Sequence, residues 1–470
     1  MITLTIGEIA TAVSGRYDAA GTDASELTRV SGHVDTDSRE IEAGGIFVAK
    51  PGDVTDGHCF VGAARENGAA LAIVEHPVDL AVPQIIVDDA VDALAALAAD
   101  VIGRVKAQGT LTVIGITGSN GKTTTKNLLG AILSPDAETV TPRNSFNNTV
   151  GAPTTMLRVT ETTRYLISEM GASGPGHIAH LAALAQPDIG VELKVGMAHA
   201  GGFGGIEQTA AAKTELVAAL SADGVAILNR DDPRVAAMAS QTAARIVWFG
   251  EHDDADVRAA DIVVTASGTQ FTLRTTDGDS IPVSFKVLGE HHVWNALAAL
   301  ATARELGVPL ETAVRRLETV TRAERWRMEV MGGRDGITII NDAYNASPDS
   351  MSAALKTLAL VTPREQRTVA VLGAMSELGE FTGDEHDRIG LMAVRLGIDK
   401  LVVVGPEARR LHISAINEGS WDGESTFMQT ADDAYDYLAA ELRAGDTVLV
   451  KSSNSVGLRF LGDRLGELFS

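Results

Sequence analysis

The sequence predicts an α/β protein in three domains, and three observations carry that expectation. A chain of 470 residues is too long for one ordinary hydrophobic core. Short apolar, β-branched runs alternate with helical patterns along most of its length, the pattern of parallel strands covered by helices. Residues 111–129, LTVIGITGSNGKTTTKNLL, join a buried strand, a glycine turn and a helix start. Composition shifts then divide the chain into a small N-terminal α/β domain over 1–107, a central domain with a parallel sheet and phosphate loop over 108–329, and a Rossmann-like C-terminal domain over 330–470.

Hydrophobic residues make up 45% and charged residues 21% of the chain, values typical of globular proteins in water. A formal net charge of −23 argues against general nucleic-acid binding and against an anionic membrane surface, since both want a basic stripe. It leaves a nucleotide open, because a nest of N–H groups, one lysine and Mg²⁺ bind phosphates within an acidic protein. The single cysteine, Cys59, excludes an intrachain disulfide and a metal site of several thiolates. No apolar run approaches about 18 residues, and the start MITLTIGEIATAVSG has no signal-peptide pattern. The expectation is a cytoplasmic protein without membrane insertion.

In the N-terminal domain the pattern predicts a helix over 6–13, a strand over 45–49, a helix over 60–67 feeding a strand over 70–74, and an alanine-rich helix over 90–104. The polar run 106–109 reads as a linker. Asp37, Ser38 and Arg39 fall in a loop, where Arg39 either forks onto a phosphate or is a solvated surface residue.

In the central domain Leu111, Val113, Ile114 and Ile116 form a strand covered on both faces. Gly118, Ser119, Asn120 and Gly121 let backbone N–H groups turn inward around an anion. Lys122 adds a mobile positive charge, and Thr123 offers a hydroxyl to a phosphate-bound Mg²⁺ at a helix start whose dipole favours negative charge. The strict Walker pattern wants glycine where Ile116 stands, so the motif is the shorter GxxGKTT, and ATP is the expected ligand.

A strand over 165–168 delivers Glu169 to the C-terminal edge of the sheet, where open parallel sheets bind ligands. There it holds Mg²⁺ opposite Thr123 or caps a helix. A strand over 189–195 leads into GMAHAGGFGG and puts His199 at the same edge, as a ligand or a hydrogen-bonding residue. Lys213 is the only cation of its helix; positions 209, 210, 216 and 217 are Thr, Ala, Leu and Val, so the usual acidic partner is absent. Functional and surface readings of it both stand. A strand over 224–228 and the turn NRDDP follow, then runs such as QFTLRTT and IPVSFKV predict an antiparallel hairpin appended to the domain over 250–288. In GEHHVWNALAA a helix opens near His291, and Asn295 meets an adenine edge or caps the helix.

The C-terminal domain predicts strands over 336–340, 368–372, 400–404 and 446–450 with helices between them. Their ends lead into NDAYNASPDSM, GAMSELGEF and KSSNSVG, the edge expected for ligand contacts. Without a phosphate loop of its own, this part reads as a lobe closing over the central one.

With GSNGKTT, SEMGA, the AH before GGFGG, AAKTEL, GEHHVWNALAA, RWRME, NDAYNASPDSM and LGAMSELGE in this order, the chain closely resembles the Mur ligases of peptidoglycan synthesis over almost its whole length. The resemblance implies an ATP-dependent amide ligase in which residues 1–107 bind a UDP-linked substrate, 108–329 bind ATP and 330–470 bind the incoming amine. Its motifs imply UDP-MurNAc-tripeptide and D-Ala-D-Ala as small-molecule substrates, joined through an acyl phosphate; a monomer is the separate expectation for the assembly. It also implies roles for individual residues. Gly118 to Thr124, with Thr124 closing the motif, would hold ATP; Thr123 and Glu169 would hold one Mg²⁺, and His199 with a carbamylated Lys213 a second. Lys122, Glu169, His199 and Lys213 form the implied catalytic set. Asn295, Arg327 and Asp342 match contacts to adenine, phosphate and ribose. Ser38 and Arg39 would lie near the uridine diphosphate, Asn147 and Asn148 would face the muramoyl substrate, and Tyr344, Asn345, Ser376 and Glu377 would lie where the dipeptide binds.

The chain departs from the family pattern at Gly201 and Gly202, where many relatives carry glutamate, at Lys194 for asparagine and at Asn454 for arginine. The competing readings are a sister ligase adding another amino acid, a folate polyglutamylating enzyme, a P-loop switch or motor, and an inactive nucleotide-binding partner.

Overall fold

The computed structural model describes residues 1–470 apart from 53–54, 144, 198–203, 323 and 420–423. Three lobes follow one another along the chain, each built on its own main sheet.

The N-terminal lobe has a five-stranded sheet in the order Arg16–Asp18, Gln84–Ile86, Leu71–Val74, Ile46–Val48, Val34–Asp35. Its long helix Ala90–Lys106 is started by Asp89, whose carboxylate accepts from Val91 and Asp92 N–H. That helix runs through Lys106, so the expected linker begins one residue later. Lys106 Nζ donates to the Asp188 carboxylate at 2.7 Å and to Gln186 O at 2.6 Å, tying the helix end to the next lobe. One apolar cluster runs from Ile2 to Leu216, so the first two lobes share a core.

The central sheet has nine strands, with the phosphate-loop strand Thr112–Thr117 between Tyr165–Glu169 and Ile189–Glu192. Ile189–Glu192 is shorter than its apolar run, because Leu193 to Val195 leave the ladder at the sheet edge. Beyond Val225–Asn229 and Arg245–Gly250 come three antiparallel-paired strands, Val257–Thr265, Gly268–Thr275 and Ser280–Phe285. The expected hairpin is therefore three strands, and it continues the sheet through the pairs Phe249↔Val257 and Gly250↔Arg258. Two pairs are too short a contact for local alternation to announce.

The C-terminal sheet has six strands in the order Glu329–Gly332, Thr338–Asn341, Thr447–Lys451, Thr368–Leu372, Lys400–Val404, Ser425–Met428. All pairs are parallel except the first. The two outer strands were not expected from sequence; both are edges with no fully buried residue, so the apolar signal is weak there. Among the described residues no helix is long and apolar enough to cross a membrane.

Candidate active site

A cavity of about 890 Å³ opens where the C-terminal edge of the central sheet meets the third lobe. Its floor is the phosphate loop. Gly118 and Gly121 have φ of +150° and +90°, values that L side chains rarely adopt. Gly121 starts the helix Lys122–Leu133, and a Cβ there would lie 2.2 Å from Asn295 Oδ1. We expect Gly121→Ala to weaken Mg-ATP binding by about 10-fold or more in a calorimeter; wild-type affinity would mean that this approach is not required.

Lys122 Nζ donates to Gly118 O at 2.7 Å, folding over the loop it serves. Burial pulls its pKa down and the charge of Glu169 opposes that fall. Ser119 and Thr124 are buried beside it, and both line the cavity with Asn120.

Thr123 Oγ1 lies 3.0 Å from Ser145 Oγ and donates to Glu169 Oε1 at 3.3 Å. The same Glu169 oxygen accepts from Asn147 Nδ2 at 2.7 Å. Its other oxygen is buried without a partner. A partnerless carboxylate oxygen beside a threonine hydroxyl is an oxygen set of the kind a hard cation takes, so these residues fit Mg²⁺. Asn148 lines the wall as a cap, accepting from Gly151 N–H at 2.8 Å.

Lys213, on the helix Ile206–Ala218, lines the cavity with only 5% of its surface exposed. Behind it lies Glu192, a residue that sequence reasoning passed over, fully buried and with both carboxylate oxygens partnerless. Burial raises the Glu192 pKa and lowers that of Lys213, so each leans toward its neutral form. His199, Gly201 and Gly202 lie outside the described residues. Lys194 places its ammonium 5.4 Å from the Trp294 ring centre, and its carbonyl accepts from Ser119 N–H.

The helix His291–Glu305 brings a second wall. Burial holds His291 down to about 4, leaving a neutral imidazole in the cavity lining. Asn295 Nδ2 lies 3.1 Å from His292 Nδ1 and is fixed beside Gly121.

The third lobe supplies the roof. Arg327 Nη2 reaches Thr123 Oγ1 at 3.4 Å, while its guanidinium lies over the Tyr344 ring. Tyr344 OH donates to Ser145 Oγ at 3.2 Å, and Ser347 Oγ donates to Asn120 Oδ1 at 3.3 Å. Asp342 is held from two sides, by Met328 N–H at 3.0 Å and by Lys451 Nζ at 2.6 Å. Lys451 also donates to Asn345 O at 2.9 Å. Sequence reasoning missed this buried lysine, although it ends the strand Thr447–Lys451 at the ligand edge, which was the available signal. Asn345 and Glu377 line the cavity, and Glu377 has φ +64°, a strained backbone for glutamate.

The remaining expected residues stand apart from the cavity lining. Ser376 is engaged with Ser453 and Ser455, and Asn454 accepts from Arg459. Ser38 is buried in a short turn, and Arg39 forks onto Asp37 in the N-terminal lobe.

A three-lobed P-loop protein whose last lobe roofs the phosphate cradle is thus defined, and the chain belongs to the Mur ligase family. Family models match in order: the Mur ligase family catalytic domain over 32–104, the Mur ligase middle domain over 116–303, and the Mur ligase glutamate ligase domain over 326–454. The chain is 44% identical to the UDP-N-acetylmuramoyl-tripeptide:D-alanyl-D-alanine ligase of Mycobacterium tuberculosis strain H37Rv, covering 99% of this chain and 98% of that one. It is 33% identical to the Escherichia coli enzyme of the same name, over 97% of each. Among solved structures it is similar to MurF from Acinetobacter baumannii, with a TM-score of 0.88, 32% identity and 99% of each chain covered. MurF from Thermotoga maritima in complex with ADP matches with a TM-score of 0.80 and 28% identity, covering 93% of this chain and 97% of that one.

Proposed function

We propose that this chain is the ATP-dependent ligase that adds D-alanyl-D-alanine to UDP-N-acetylmuramoyl-tripeptide in peptidoglycan precursor synthesis. The observation that carries this reading is one continuous cavity joining the phosphate loop, Glu169 and Lys213 to Tyr344, Asn345 and Glu377 of the third lobe. The names of the relatives and their near-complete coverage support it. In this reading residues 1–107 hold the UDP end of the acceptor near Ser38 and Arg39, residues 108–329 hold ATP, and residues 330–470 hold the dipeptide. The enzyme works in the cytoplasm as a monomer.

Gly118 to Thr124 cradle the phosphates with backbone N–H groups, and Asn295 and Asp342 take the base and ribose. Asn147 and Asn148 steer the tripeptide so that its terminal carboxylate meets the γ-phosphate in line. That carboxylate attacks phosphorus, ADP leaves, and an acyl phosphate forms. The amine of D-Ala-D-Ala, brought by Tyr344, Asn345 and Glu377, then attacks the acyl carbon and phosphate departs from a tetrahedral intermediate. Each step gathers negative charge, which Lys122 and Arg327 stabilise by position. Thr123 and Glu169 would hold one Mg²⁺, and His199 with Lys213 as its carbamate a second; bound there, the ions neutralise phosphoryl charge.

The test is product release. We expect ADP and phosphate to appear only when UDP-MurNAc-tripeptide and D-Ala-D-Ala are both present. Release indifferent to either substrate would overturn the ligase reading in favour of a nucleotide switch.

A further inference from the structure

The sheet face beneath Lys213 has a construction that the proposed chemistry leaves unused. Thr112–Thr117 and Ile189–Glu192 pair in parallel with Gly115 opposite Gly190 and Thr117 opposite Glu192. Alternation along a strand puts all four on one face. The two glycines form a groove for Leu216: a Cβ at Gly115 would lie 2.9 Å from Leu216 Cδ1, and one at Gly190 3.3 Å from its Cγ. Lys213 stands three residues earlier on that helix, so the helical repeat sets it over the next pair, Thr117 and Glu192. There the Thr117 hydroxyl and both Glu192 oxygens are buried with no hydrogen-bond partner. Three unsatisfied polar atoms in one place are costly, and they mark a slot for a polar group that arrives later.

We infer that Glu192 is a positioning residue for the Lys213 carbamate, its carboxyl group forming the floor of the slot that receives the added CO₂. The inference rests on the carbamate proposed above. In that step the Lys213 nitrogen lone pair forms a bond to the carbon of dissolved CO₂, and one C=O π pair moves onto oxygen. The nitrogen releases one proton to solvent through the cavity. The carbamate presents an N–H beside an oxygen, the complement of a carboxylic acid. The Glu192 O–H donates to the carbamate oxygen, and the Glu192 carbonyl accepts the carbamate N–H. Thr117 adds a further hydroxyl. So fixed, the outer carbamate oxygen faces the cavity.

Wild-type enzyme equilibrated with ¹³C-bicarbonate should show a carbamate carbon resonance that Lys213→Ala lacks. At limiting bicarbonate Glu192→Val should lose at least about 5-fold of that signal and lose turnover with KM for ATP kept; added bicarbonate should restore both. With bicarbonate removed, so that Lys213 is unmodified, the melting temperature of Glu192→Val should rise above that of the wild type, because a partnerless carboxyl leaves the core. A merely structural residue would lower it. Glu192→Gln, whose amide offers the same donor and acceptor, should keep most of the resonance. An undiminished resonance and turnover in Glu192→Val would overturn this inference alone, and a wild-type enzyme without the resonance would overturn the carbamate and this inference together.

Discussion

Lys122→Ala is expected to lower turnover at least about 10²-fold while leaving the fold intact. Lys122 is the first residue of the helix Lys122–Leu133, where alanine is an excellent helix former, so the helix keeps its propensity after the change. What disappears is a partly buried cation between Gly118 O and Glu169. As the bond to ADP breaks in the transition state, negative charge builds on the β,γ-bridging oxygen, and a positioned ammonium in a partly buried site is worth far more there than in solution. Steady-state kinetics with a parallel melting curve check this. A fall of less than about 10-fold would mean that the arginine and the loop amides carry the charge without the lysine.

Lys213→Ala is expected to abolish turnover, with part of it restored by added acetate or formate. The substitution removes a buried side chain that lines the cavity on the face of Thr117 and Glu192. A surface lysine of the usual kind would lose about 1 kcal/mol of ion pairing at most, with no effect on rate. Burial favours the neutral amine at Lys213, the form that reacts with CO₂, and a small free carboxylate can take the place of the carbamate once the side chain is gone. Full activity of the variant would remove the carbamate from the proposed mechanism.

Residues whose placement follows from local chemistry were legible. GSNGKTT announces its own turn, helix start and cation, and YLISE shows a strand ending in a carboxylate at the ligand edge. Lys213 was legible through a missing partner on its own helix. Glu192 and Lys451 were not, because each ends an apolar run and becomes meaningful only when another segment is laid beside it: Lys213 over Glu192, and Asp342 beside Lys451. The three-stranded extension of the central sheet was misjudged for the same reason, since its attachment depends on two residue pairs across a loop. Ser38 and Arg39 belong to a lobe whose own geometry explains them as a turn, so their proposed role rests on the ligand.

The apolar cluster from Ile2 to Leu216 fuses the first lobe to the second. If the uridine end of the acceptor is anchored on the first, its distance to the reacting phosphorus is set by that weld. The welded pair then acts as a ruler, against which the length of the peptide stem is measured before any bond is made. A stem one residue short would leave its carboxylate stranded, and one residue long would crowd it past Glu169. Selection by reach of this kind needs no side chain dedicated to counting.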